Sequence, residues 1–254
     1  MENPKAKREF LRASNWENFS QIQTDQQQRR PAPPLQRALP EALPEIDLPP
    51  VADLQLGQEP LAAIIAQRRS RRKFADAPLS LEALSYLLWA TQGLREIIAN
   101  GKATFRTVPS AGARHPLNTY LSVRDVTGLD AGLYYYQPLE HRLRLLRPAR
   151  DTETADLVAG CNGQSWVAGA AVTFIWTAVP YRTEWRYHVL AHKFIALDAG
   201  HVCQNLYLAA ESIGAGTCGI AAYDQARMDA LLDIDGEDEF TLYIAPVGML
   251  PTAS

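Results

Sequence analysis

Five cationic side chains surround one hydroxyl in Arg68-Arg69-Ser70-Arg71-Arg72-Lys73-Phe74. Planar guanidinium forks make paired, charge-assisted hydrogen bonds to phosphate oxygens, and a serine adds a neutral donor, so the run suits a phosphate ester. Its alternative is a helix end facing water, followed by a basic turn. In a second segment, Val108-Pro109-Ser110-Ala111-Gly112-Ala113-Arg114-His115-Pro116, small residues let backbone approach a ligand while Ser110 and Arg114 offer directed donors. A helix-capping turn is the alternative there. The third, Gly214-Ala215-Gly216-Thr217-Cys218-Gly219-Ile220, spells the dinucleotide pattern but follows a helix and opens none, which excludes a Rossmann unit. A C-cap with a tight loop is its plain reading. His188 and His192 lie one helical turn apart and could serve zinc, with His201 and Cys203 further on. The glutamate of the metalloprotease motif is missing between them, and we assign no metal.

Helices and strands must position these segments. Leu61, Ile64 and Ile65 form an apolar stripe on a helix whose last turn would hold Arg68 and Arg69, favourably for the helix dipole. Ser80 is a candidate N-cap for a helix carrying Leu81, Leu84, Leu87 and Leu88 and stopped at Gly93. The longest helix is predicted from about Ile195 to Ile213, ending at Gly214 and Gly216, and Asp224 can cap another. Strands are predicted at Thr119–Val123 and Ala171–Val179, a hairpin around Pro138–His141, and a last strand at Phe240–Val247. Glu9 to Ile22 carries the spacing of one short amphipathic helix. Eight prolines between Arg29 and Pro60 forbid a helix and imply an extended run over a surface. The expected organisation is a proline-rich extension, residues 1–55, on one domain, residues 56–254. Its class is α+β, with a central mixed or antiparallel sheet flanked by helices. The aromatic cluster of Tyr134, Tyr135, Tyr136, Trp166, Trp176 and Trp185 reads as packing.

The composition is that of a globular protein: 254 residues, 47% apolar, 21% charged. Twenty-five basic against 28 acidic residues leave a net charge of -3, so the arginine run is local and nucleic-acid binding lacks electrostatic support. The start is polar, without an apolar segment of signal-peptide length, and the most apolar stretch, Ala168 to Pro180, is too short to span a bilayer. The expectation is a cytoplasmic protein with no membrane partner. Three cysteines without CxxC spacing argue for reduced thiols.

Taken together with Leu197-Asp198-Ala199-Gly200-His201-Val202-Cys203-Gln204-Asn205-Leu206, the arginine run and the Pro-Ser-Ala-Gly-Ala-Arg-His-Pro segment resemble the nitroreductase superfamily of FMN-dependent oxidoreductases. The resemblance runs from about Leu61 to Met249 and is nearest to the SagB-type dehydrogenase branch, which includes the azoline oxidases. It implies a nitroreductase-like sandwich that binds FMN through the first motif. Arg68 and Ser70 would contact the ribityl phosphate with Arg69 in the same cofactor-binding set, and Arg72 would lie near the pyrimidine edge of the ring. A guanidinium there would stabilise the negative charge that two-electron reduction creates. Pro109, Ser110, Ala111 and Arg114 match the segment that reaches the flavin from the neighbouring subunit, so an obligate homodimer is implied. Gly219, Ile220 and Ala221 fall where backbone passes the ring face and its N5 edge.

Two departures bear on function. No lysine or arginine follows Pro246-Val247-Gly248-Met249-Leu250, where relatives often complete the phosphate site. Arg186-Tyr187 stands where azoline oxidases resemble one another in a Lys-Tyr pair, and an arginine stays charged and is a poor proton acceptor. Tyr187 is left as the candidate catalytic proton donor. The expected activity is hydride transfer from NADH, NADPH or another donor to a nitroaromatic or quinone. The alternatives are a dehydrogenase acting on an organic or peptide-derived substrate, and a flavin-binding protein without turnover.

Overall fold

The computed structural model describes residues 8–13 and 16–251. At its centre lie β4 (Leu117–Val123) and β7 (Val172–Ala178), every residue of which is buried. With β1 (Glu45–Asp47), β5 (Gly132–Gln137), β6 (Arg142–Pro148), β8 (Ala215–Thr217) and β9 (Phe240–Met249) they form a seven-stranded sheet. Its order is β1-β6-β5-β4-β7-β9-β8, with antiparallel pairing throughout. Both faces are covered, as the apolar runs require. Tyr134, Tyr136, Phe174 and Trp176 pack beneath α2 (Leu81–Gln92) and α5 (Ala191–Glu211). Tyr120, Tyr135 and Ile175 face α3 (Glu153–Gly160) and α6 (Gln225–Leu231). Successive tyrosines thus alternate between the two cores, the period of a strand.

Local signals act where expected. Ser80 Oγ accepts from the Ala83 N–H at 3.1 Å, Gly93 ends α2, and Asp224 caps α6 through the Arg227 N–H. The predicted long helix begins four residues earlier, at Ala191, because His188, at φ +48°, breaks it from α4 (Tyr181–Tyr187). The single helix predicted over Glu9–Ile22 is not formed by the described residues. Short 3-10 turns stand at Arg8–Leu11 and Phe19–Gln21, with Trp16 against Phe19 and Phe194. Phe10 and Leu11 remain exposed, so no apolar face closes to stabilise a helix there. The hairpin of β2 (Leu94–Ile98) and β3 (Ala103–Arg106) was not predicted, nor were β1, β8, α3 and α4. No helix among the described residues is long and apolar enough to cross a membrane.

The proline-rich stretch is tied into the sheet. β1 aligns Glu45 and Asp47 with Arg142 and Arg144 of β6, charge matching charge across the pair. Arg37 reaches the Tyr120 hydroxyl, and buried Arg106 donates to the Leu35 carbonyl at 3.2 Å. Leu48, 5% exposed, joins the larger core. Leu48→Ala is therefore expected to cost about 2–4 kcal/mol in a urea melt with one transition. A loss below about 1 kcal/mol, or a separate early transition, would show the stretch to be dispensable.

At the entry to β4, His115 (φ +46°) is buried and its Nε2 lies 3.0 Å from the Thr104 carbonyl. Burial, helped by the Arg106 charge, pushes its pKa from 6.5 down to about 3. Between those values the unfolded chain binds a proton that the folded chain refuses. Stability should be full above pH 6.5 and decline below it by at most about 1.4 kcal/mol per unit. His115→Gln should flatten that slope between pH 6.5 and 5, measured as urea midpoints against wild type. Parallel slopes would contradict the assignment.

Candidate active site

The chain leaves α1 (Leu61–Gln67) at Arg68, whose ψ of 127° ends the helix, so the basic run is extended and not part of the last turn. It is laid across the sheet edge: the Arg71 N–H donates to the Thr217 carbonyl at 2.9 Å and the Ala75 N–H to Met249 at 2.8 Å. Glycines permit the contact. A Cβ on Gly216 would sit 2.6 Å from Arg71 Cγ, and one on Gly248 would sit 2.8 Å from Phe74 Cγ. Arg71 then turns to α5 and pairs with Glu211 at 2.5 Å. Arg68, Arg69 and Arg72 make no ion pair with a carboxylate among the described residues. The Arg68 guanidinium lies 5.3 Å from the Tyr207 ring centroid, and that of Arg72 lies 5.9 Å from Trp166. Ser70 is exposed between them, its hydroxyl 3.2 Å from that of Tyr207.

The glycine loop returns beside this run. Its Gly219 N–H donates to the Tyr207 oxygen at 2.8 Å, and its Ile220 N–H to the Ile244 carbonyl at 2.7 Å. A Cβ on Gly219 would meet the Tyr243 hydroxyl at 2.5 Å, which explains the residue. Ala221 is exposed, and its N–H has no partner among the described residues. Burial raises the Tyr207 phenol and pushes the Cys203 thiol up to about 12, so both stay protonated at ordinary pH. Neither is an activated nucleophile.

Pro109, Ser110, Ala111 and Arg114 form a turn held against another part of α5. Ser110 Oγ donates to Asp198 Oδ2 at 2.5 Å and accepts from the His115 N–H at 2.9 Å, while the Ala111 N–H donates to Asp198 Oδ1. Desolvation raises the Asp198 pKa. Arg114 is buried at 3% exposure, donating to the Arg182 and Lys102 carbonyls with its guanidinium 4.9 Å from the Trp185 ring centroid. It braces the turn from inside. Gly112, at φ +60°, brings the turn against the Arg186 side chain and the Tyr187 hydroxyl, and Tyr187 packs on Phe194. Pro109 is exposed. Nine residues separate Asp198 from Tyr207, about 13 Å of helix, so one chain presents the two clusters at separate places. His192 lies 2.8 Å from a Glu184 carboxylate oxygen, and no group of three candidate metal ligands occurs among the described residues.

Two residues that organise the site, Tyr207 and Glu211, were not singled out from the sequence, and Asp198 was named only within its motif, without a role. Each lies on the predicted long helix or just inside its end, where the polar residues facing the motifs were the available signal.

The geometry agrees with what the chain resembles. Residues 65–249 match the Nitroreductase family. A Methanocaldococcus jannaschii protein described as a nitroreductase is 34% identical over 206 residues, 80% of this chain and 96% of its own. The trifolitoxin-processing protein of Rhizobium leguminosarum bv. trifolii is 28% identical over 200 residues, 76% of this chain and 53% of that protein. A Ralstonia eutropha structure described as a nitroreductase aligns at TM-score 0.66 and 28% identity, covering 88% of this chain and all of its own. The NADPH:FMN oxidoreductase from Vibrio harveyi, solved with NAD+, shares the fold at TM-score 0.52 and 18% identity, over 76% of this chain and 69% of that one. The chain belongs to the nitroreductase family of oxidoreductases.

Proposed function

We propose that the protein is an FMN-dependent oxidoreductase working as a homodimer, with NADPH or NADH as donor and a small nitroaromatic or quinone-type acceptor. The observation that carries this reading is the set of cations without carboxylate partners among the described residues, Arg68, Arg69 and Arg72, around the exposed Ser70 hydroxyl, which Tyr207 links to the glycine loop that ends at Ala221. That donor set fits a phosphate ester joined to a ring needing one backbone donor. The FMN named for the Vibrio harveyi relative, and the NAD+ bound to it, support the same cofactors. When bound, FMN supplies a ring that accepts and returns hydride. In this reading Arg68, Arg69 and Ser70 hold its phosphate, and residues 56–254 form the flavin domain with residues 1–55 as its extension. Arg72, resting on Trp166, faces the pyrimidine edge. Ala221 supplies the ring-edge N–H, because the N–H groups of Gly219 and Ile220 already have partners.

The partner subunit would bring Pro109, Ser110 and Ala111 to the ring, with Arg114 bracing them and Tyr187 as proton donor. The separation of the two clusters along α5 supports that division, as do the exposed apolar side chains of Leu61, Ile65, Trp89, Ile97, Phe105 and Leu197. Three buried free thiols support a reducing, cytoplasmic setting. The trifolitoxin-processing relative favours a second reading, in which the same residues serve a dehydrogenase acting on a peptide-derived substrate.

Anaerobic addition of NADPH and then NADH to the FMN-loaded protein separates these readings. Bleached flavin absorbance is expected for the reductase, whereas persistent bands would favour the dehydrogenase, and a protein that takes up no FMN would refute both. Arg68→Ala should weaken FMN binding about tenfold or more, roughly 1.4 kcal/mol, with riboflavin affinity changed less than about twofold. Arg72→Ala should leave FMN bound but lower its reduction potential; an unchanged potential would remove Arg72 from the ring.

A further inference from the structure

We propose that Tyr207 is a positioning residue that sets the phosphate affinity of the site by orienting the Ser70 hydroxyl and tying it to the glycine loop. The inference rests on the FMN reading. Tyr207 lies one helical turn before Glu211, so consecutive turns of α5 grip the basic run: Tyr207 takes Arg68 and Ser70, and Glu211 takes Arg71.

Its hydroxyl has two partners, one whose chemistry fixes the direction of the bond and one, Ser70, that could give or take the proton. The Gly219 N–H can only donate, so Tyr207 accepts there at 2.8 Å. In the relay we infer, the phenol gives its one proton to Ser70 Oγ, 3.2 Å away, since its lone pair already takes the Gly219 N–H. Ser70 then accepts from Tyr207, and its own hydroxyl proton is left to point outward, toward an anion. The chain of donors runs from Gly219 N–H to Tyr207 O–H to Ser70 O–H, each bond polarising the next in one direction. A serine without that partner would rotate freely and meet a phosphate as donor or acceptor alike. The ring meanwhile gives the Arg68 guanidinium a face to rest on, 5.3 Å from its centroid.

Tyr207→Phe keeps that face and removes only the relay. FMN affinity should fall about five- to tenfold, while riboflavin, which lacks the phosphate, should bind within twofold of wild type. Ser70→Ala, at an exposed site that does not threaten folding, should give the same phosphate-specific loss. The double variant should be no weaker than Ser70→Ala alone, since both substitutions break one chain. The proposal is overturned if Tyr207→Phe binds FMN like wild type, if it loses FMN and riboflavin equally, or if the two losses add. Failure of the wild type to bind either flavin is a different outcome: it removes the FMN reading, and the relay with it.

Discussion

Everything at the site depends on the pairing of Arg71 with Glu211. Five cations in six residues repel one another and would hold an unanchored segment away from the fold. Glu211 has a side chain only 7% exposed, and at 2.5 Å from Arg71 it sets one of those charges against α5. Removing one partner of such a pair typically costs about 3–5 kcal/mol, because the other is left uncompensated. The Arg71 N–H bond to Thr217 and the closeness of Gly216 fix the same residue against β8. One arginine is thus structural, and because it is, its neighbours can face outward with no carboxylate partner among the described residues.

A single helix carries the consequences to the rest of the molecule. Near its C-terminus α5 holds the basic run through Tyr207 and Glu211, and nearer its start Asp198 clamps the Ser110 turn. The central sheet supplies the buried floor on which that helix is fixed, and the edge strand β8 supplies the wall. Arg114, whose charge suggests a ligand contact, does work of another kind by bonding carbonyls of its own chain beneath the turn.

Much of this was legible in the residues. Helix limits set by Ser80, Gly93 and Asp224, and strands with both faces buried such as β7, follow from short-range rules that tertiary structure does not override here. The residues missed are those whose signal is long-range. β1 is three residues long and pairs by charge with β6 nearly a hundred positions away, and the β2–β3 hairpin turns at Ala99, Asn100 and Gly101, all at positive φ, in a region without strong strand alternation. In the site, the three motifs could be recognised by composition. The division of labour among five adjacent cations could not, since only the fold brings Glu211 to one of them and aromatic rings to two others.

A crystal structure of the protein grown with FMN tests the central claim most directly. The account predicts the ribityl phosphate within hydrogen-bond distance of Arg68 and Ser70, with Arg71 still on Glu211 and the Ala221 N–H at the ring edge. A phosphate bound away from Arg68 and Ser70, or Arg71 released from Glu211 to contact it, would contradict it.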